Sequence, residues 1–340
     1  MKNSTRFLTL FLIIFIVSCT SSKKTTENIR IDDSYTSIFP NKEVSDALEQ
    51  ISRSLVLINN LTFYNNYLFL DSTITDQDVK KGDVSDNVMM TSTINKTSSG
   101  TGTIIGINGN NVSLLTAAHI VSYPDTIITY YIKSGKPTDY IESIMIKKRQ
   151  NLYSNLPEGG RLRLIVSDSK SDIAIVGNKF SNVTSIQFPV FNFKLGNAKD
   201  LNWGDFVYVF GYPMHYKLVT RGIVSMPNKD DLDNFMVDAL INRGSSGGIV
   251  LAIRGDVPNF ELVGIVSSVP AEKKFVLSPA NTNRNINLLP GTIYDGEMKV
   301  EKLDGIRYGI GRIVSSEAIR KFLDKNESEL QSKGYIIKLN

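Results

Sequence analysis

The chain has 340 residues, 41% hydrophobic and 21% charged, a balance that excludes a disordered polypeptide. That length accommodates roughly two domains of ordinary size, each able to bury its own core. A formal charge of +4 without a dense basic stripe excludes nucleic acid as a partner, and a single cysteine excludes internal disulfides and multi-cysteine metal sites.

The N-terminus carries Lys2 and Arg6, then the apolar run "FLTLFLIIFIV", too short for a comfortable membrane span, and then "IVSC". These residues resemble a bacterial lipoprotein signal with the lipobox Ile16-Val17-Ser18-Cys19. The resemblance implies that residues 1–18 are a signal peptide and that Cys19 carries a lipid. An uncleaved anchor helix is the alternative. Either way, the folded part is expected in the cell envelope, tied to a membrane and stable without disulfides. It would face the outer membrane or periplasm in a diderm, and the outer face of the cell membrane in a monoderm. "TSSKKTTEN" follows, polar and aperiodic, and residues 19–43 are expected to form a flexible tether.

From Leu55 short runs rich in β-branched and aromatic residues alternate with Asn, Gly, Asp and Ser clusters. "GTGTIIGI", "NVSLLTAAHIV", "TIITYYI" and "RLRLIVS" are examples, and they read as strands. In "RLRLIVS" Leu162, Leu164 and Val166 fall on one face, with Ile165 the exception on the wet face. A second series includes "FVYVFGYP", "KLVTRGIVSM", "GGIVLAI" and "FELVGIVSSV". One convincing helix appears, "SSEAIRKFLDKNESEL", with a serine cap, an early Glu317, and Ile319, Phe322 and Leu323 at helical spacing. The pattern predicts an all-β protein with two sandwiches or barrels, the first over 44–190 and the second over 191–340.

Three residue clusters could carry chemistry. His119 ends "LLTAAH", while His215, in the turn "GYPMHYK", reads as an exposed loop histidine. Asp172 opens "DIAIV", and a carboxylate at the mouth of an apolar strand needs a hydrogen-bonding partner, which an imidazole would supply. Asp168 is the competing acid, further into the turn. Gly244-Ser245-Ser246-Gly247-Gly248 reads first as a flexible turn. It also offers a hydroxyl flanked by glycines that let backbone N–H groups converge on one point.

In that order, "TAAH", "SDIAIV" and "GSSGG" resemble the trypsin-like serine peptidases, because other Ser-His-Asp enzymes arrange the three groups differently along the chain. "LGNAKDLNWGDFVYVFGYP", "VTRGIVS", "VDALINRGSSGG", "LVGIVSS" and "GIGRIVSSEAIRKFL" resemble the HtrA (Deg) branch more closely, over about Gly100 to Leu323. The resemblance implies two six-stranded antiparallel β-barrels of the chymotrypsin type with a C-terminal helix. It implies Ser246 as nucleophile, His119 as general base, Asp172 as the group that orients His119, and the N–H groups of Gly244 and Ser246 as the oxyanion hole. It also implies protein or peptide substrates and neither metal nor organic cofactor.

Three departures stand out. Ser245 replaces the usual asparagine, and the 52 residues between His119 and Asp172 point to an insertion, expected at "RQNLYSNLPEGG". The 94 residues after Ser246 leave no expected room for a PDZ domain. Leu240, Val266 and Ser267 are the expected substrate pocket, with Leu240 at its base or else in plain core, and the preference they imply is for small aliphatic residues. The long segment 270–305 could be a lid, a recognition loop or an oligomer contact, and oligomeric state stays open. The competing class is a catalytically silent trypsin-fold lipoprotein acting as a binding or chaperone module; an esterase would use the same machinery.

Overall fold

A computed structural model describes residues 34–40, 42–82, 87–229, 233–268, 271–279, 296–306, 309–337 and 339. The expected signal, Cys19 and most of the expected tether lie outside these residues. The first sheet contains β1 (Leu55–Phe69), β2 (Val88–Asn108), β3 (Asn111–Thr116), β4 (Thr126–Lys133), β5 (Lys136–Ser154), β6 (Arg161–Asp168) and β7 (Ile173–Lys179). The second contains β8 (Lys194–Leu195), β9 (Phe206–Gly211), β10 (Leu218–Met226), β11 (Asn234–Ala239), β12 (Ile249–Ile253), β13 (Phe260–Ser268) and β16 (Ile310–Ser315). A separate hairpin pairs β14 (Ala271–Pro279) with β15 (Met298–Ile306), inside the segment 270–305.

Each large sheet closes on itself. In the first, β1-β2-β3-β7-β6-β5 returns to β1 as an antiparallel six-stranded barrel, with β4 added outside β5. In the second, β12-β9-β10-β11-β16-β13 closes through the β12–β13 pair, with β8 added in parallel to β13. The chain therefore has the expected two six-stranded barrels. Ile58, Ile104, Leu114 and Val176 fill the first, and Val209, Phe235, Val237 and Ile313 fill the second. A third cluster, in which Leu55, Leu115 and Ile175 meet Phe210, Ile265 and Ile319, joins the two barrels and the C-terminal helix.

That helix spans Ser316–Ser332, and the Ser315 hydroxyl accepts from the Ala318 N–H at its start. It is not the only helix. A nine-residue helix, Ser45–Arg53, packs Ile51 into the joining cluster, with Val44, Ala47 and Leu48 beside it.

The structure also corrects the position of the insertion. Arg149–Ser154 belongs to β5 and pairs with β1, so only the turn after it lies between barrel strands. The added length is β4 and the first half of β5, paired with each other and with the outer half of β1. There Phe69, Ile74, Ile141 and Ile144 form a small core of their own. In β6 a bulge between Leu164 and Val166 reverses the alternation. Ile165 and Val166 are both buried and Leu164 turns outward.

The described part of the expected tether is not loose. Tyr35 is 3% exposed and forms an isolated bridge with Arg254, while Thr36 N–H donates to Ile253 O at 3.0 Å. The Tyr35 hydroxyl donates to Glu261 Oε2 at 2.7 Å and accepts from Asn197 N–H at 3.0 Å. Arg254 stacks 4.1 Å above the Tyr35 ring and bonds both Glu261 and Asp200. Burial, then the bond to Glu261, push the phenol pKa far above its ordinary value, so Tyr35 stays neutral. Tyr35→Phe leaves the Asn197 N–H and a Glu261 oxygen without this partner. It is expected to lower unfolding free energy by about 1–3 kcal/mol, measured by chemical denaturation.

Candidate active site

The three clusters singled out in the sequence meet at the junction of the barrels. His119 lies in the short helix Ala118–Val121, directly after β3, and Asp172 lies in the turn between β6 and β7. Asp168 shapes that turn: its Oδ1 accepts the N–H groups of Lys170 and Ser171, at 2.9 and 3.4 Å. The turn sets Asp172 at φ +58°, a left-handed backbone that aspartate tolerates better than most residues.

The Asp172 carboxylate has four contacts with three donors. Imidazole Nδ1 of His119 lies 3.0 and 2.9 Å from its two oxygens, and the His119 backbone N–H donates to Oδ1 at 2.9 Å. The Ser267 hydroxyl donates to Oδ2 at 2.6 Å. Burial is the largest influence on this group and pushes its pKa upward. The bond and charge interaction with His119, the Ser267 hydroxyl and the His119 N–H together outweigh it, and the carboxyl sits below its ordinary value. Asp172 is therefore a fixed anion at neutral pH. With Nδ1 turned to the acid, Nε2 is left toward the cleft.

Ser246 is presented by a rigid turn between β11 and β12. Gly244 has φ +100°, and a Cβ there would lie 2.3 Å from the Tyr212 carbonyl oxygen. Gly247 has φ +77°, and its Cβ would lie 2.2 Å from the Thr101 carbonyl oxygen. Side chains are excluded by backbone proximity as much as by torsion.

Thr101, fully buried in β2, holds this turn. Its N–H donates to Ser246 O at 2.8 Å, and its hydroxyl donates to Gly244 O and accepts from Tyr212 N–H, both at 2.9 Å. The Arg243 carbonyl is engaged as well, accepting from Met214 N–H at 3.2 Å. Among the described residues, neither the Gly244 nor the Ser246 N–H donates to a protein acceptor, which leaves both available to a bound oxyanion. The Ser246 hydroxyl donates to Ser267 O at 3.2 Å, and no hydrogen bond links it to His119 among the described residues.

His119, Gly244 and Ser246 line a cleft of about 620 Å³ with Asn60, Thr97 and Ser98. Arg243 and His215 line it as well. His215 is an exposed loop histidine, as its turn implied, but the loop borders the cleft. Nothing local in "GYPMHYK" signals this, because it follows from β9 ending beside the serine turn.

The expected pocket is not brought together. Leu240 is 72% exposed, which removes it from the core and from the floor of a closed pocket. Val266 has no exposed surface and packs in the second barrel. Ser267 does belong to the site, but through its hydroxyl on Asp172 and its carbonyl near Ser246. The preference for small aliphatic residues loses the side chains it rested on. Among the described residues no cluster of His, Cys, Asp and Glu could hold a metal ion.

Two closed antiparallel barrels with a C-terminal helix are the chymotrypsin fold. A family model described as "Trypsin-like peptidase domain" matches residues 100–265. A "Probable serine protease do-like" of Buchnera aphidicola subsp. Acyrthosiphon pisum is 32% identical over 136 residues, covering 37% of this chain and 26% of the relative. A "Probable periplasmic serine endoprotease DegP-like" of Hahella chejuensis is 35% identical over 113 residues, 32% of this chain and 22% of the relative. "Serine protease HTRA3" of Rattus norvegicus is 31% identical over 195 residues, 52% of this chain and 36% of the relative. The matches thus span about a quarter to a third of these relatives' length. A solved HtrA-type protease with a decapeptide aligns at TM-score 0.44 and 17% identity, covering 87% of this chain and 68% of its own. Residues 100–265 are thus similar to trypsin-like peptidase domains, and proteins described as HtrA- and DegP-like serine proteases are among the relatives of this chain.

Thr101→Val keeps the shape of the side chain and removes the hydroxyl, which orphans the buried Tyr212 N–H and Gly244 carbonyl. The expected loss is about 1–3 kcal/mol for each group. Thr101→Ser should recover most of it, with both variants compared by thermal and chemical unfolding.

Proposed function

We propose that the chain hydrolyses peptide bonds as a serine endopeptidase through Ser246, His119 and Asp172. The observation that carries this reading is the meeting at one cleft of an imidazole fixed by a half-buried carboxylate, a serine hydroxyl, and two backbone N–H groups without protein acceptors among the described residues.

For reaction, the Ser246 hydroxyl turns from the Ser267 carbonyl to His119 Nε2, a single rotation about its side-chain torsion. Its oxygen adds to the substrate carbonyl carbon while His119 takes the proton. The oxygen that becomes negative is held by the Gly244 and Ser246 N–H groups, each worth on the order of 3 kcal/mol of transition-state stabilisation. The C–N bond then breaks, His119 returns the proton to the leaving amine, and an acyl ester remains on Ser246. Water attacks that ester by the same steps in reverse, with His119 again taking and returning a proton. Asp172 keeps Nδ1 protonated and stabilises the imidazolium without accepting its proton. No step calls for a metal or organic cofactor.

A fluorophosphonate probe and a casein-type protein substrate test this together. Labelling and proteolysis are expected in the parent protein and absent in Ser246→Ala, with Asp172→Asn slowed about 10⁴-fold. Well-folded protein with no Ser246-dependent labelling or proteolysis overturns the reading, and a purely binding lipoprotein then takes its place. Cleavage of activated esters without peptides would make it an esterase.

We further propose that the enzyme is attached to an envelope membrane by a lipid on Cys19, a reading supported by the lipobox sequence and by the absence of any other cysteine. Growth with labelled palmitate is expected to tag the protein. Label retained in Cys19→Ala rules the assignment out.

A further inference from the structure

β2 enters the site from outside it. Over Val88–Thr103 it pairs on one side with β1 in an unbroken register from Leu55–Thr103 to Leu68–Met90. On its other side it meets β3 only from Thr103 onward. Between those limits, Val88 to Ser99 form a sheet edge with no strand against it among the described residues.

The backbone polarity of this edge follows from Thr101. Both its N–H, which donates to Ser246 O, and its carbonyl, which accepts from the Thr116 hydroxyl, point away from β1. Strand groups alternate sides residue by residue. With no bulge over this stretch, the N–H and C=O groups of Ser99, Thr97, Asn95, Thr93 and Thr91 therefore point the same way. None bonds to another backbone group among the described residues. Thr97 and Ser99 already line the cleft with Ser246, so the row begins at the nucleophile and leads away from it. From Thr97 to Thr91 it extends about 20 Å.

Natural sheets usually blunt such an edge with charges, proline or a bulge. "VMMTSTINKTSS" has one charge, Lys96, and no proline. Lys96 is on the set that bonds β1, so the outward row itself carries only Thr, Asn and Ser.

We propose that Thr91–Asn95 of β2 is a docking edge for the substrate polypeptide beyond the cleft, taking the residues that follow the scissile bond as an added antiparallel strand. This rests on the peptidase reading. A substrate leaving Ser246 along this edge runs opposite to β2, the direction antiparallel pairing needs. Recognition is through main-chain groups, so the edge accepts extended segments of many sequences and discriminates against folded ones.

Two peptides with the same residues around the scissile bond test it, one ending two residues after the bond and one extended to ten. The longer peptide is expected to show at least about tenfold higher kcat/KM, equivalent to 1.4 kcal/mol. N-methylation at alternate residues of the extension should abolish the gain in one parity and spare it in the other, because alternate amides face β2. Shuffling the extension's side chains should preserve the gain. In Thr93→Pro, which removes an outward N–H and no β1 bond, the ratio should fall toward one, with fluorophosphonate labelling reporting a folded site.

Equal rates for the two peptides, or equal effects of the two methylation parities, overturn the proposal. Concentration-dependent dimerisation that Thr93→Pro abolishes also overturns it, assigning the edge to a second copy. Anisotropy of the labelled long peptide on Ser246→Ala reads the edge without hydrolysis. Parity-dependent binding there, with no cleavage by the parent, separates failure of the peptidase reading from failure of this one.

Discussion

The hydrogen bonds of Thr101 tie the chemistry of this protein to its architecture. Its N–H, carbonyl and hydroxyl are all engaged, and three of its partners, Tyr212, Gly244 and Ser246, come from the second barrel while the residue itself is in the first. A fully buried threonine loses its hydration on folding, and here every lost contact is replaced. The serine turn is consequently fixed against β2 rather than merely closed by its own glycines. Gly247 makes the reciprocal demand, since only a residue without a side chain can lie this close to the Thr101 carbonyl.

Asp172 plays the matching part on the other side of the junction. Its burial alone would favour the neutral acid, which would release His119 to turn. Donors from both barrels reverse that preference: His119 from the first and Ser267 from the second. The carboxylate is kept ionised chiefly by His119, with Ser267 adding a donor from the second barrel, and the ionised carboxylate in turn orients the imidazole. Site formation and barrel docking are thus linked, because a partly separated pair of barrels would lose the Ser267 donor to Asp172 and the Thr101 hold on the serine turn.

Much of this is legible in the sequence, and the parts that are not fail for definite reasons. His119, Asp172 and Ser246 are marked by short local patterns, and the fold brings all three to the junction of the barrels. Strand periodicity likewise announces two all-β units. Thr101 is silent because its role depends on partners more than a hundred residues away. The Ser45–Arg53 helix is amphipathic, but it is only nine residues long and lacks a side-chain cap, so its apolar stripe repeats over too few turns to stand out. In β6 one added residue at the bulge undoes the alternation that placed Leu164 inside. Leu240 misleads in the opposite way, because an apolar residue next to a strand says nothing about whether the chain beyond it closes a pocket.

The docking of Tyr35 bears on how the protein transmits load. The chain entering at Ser34 is gripped at once by Arg254, Glu261 and Asn197, and by the backbone of Ile253 at the end of β12. Tension arriving from the N-terminal side is thus delivered to the β12–β13 region of the second barrel, through a stacked ring and buried hydrogen bonds that must fail before the pull travels further. β13 also carries Ser267, which donates to Asp172 and accepts from Ser246, so the strand that receives this load is one on which the cleft itself rests.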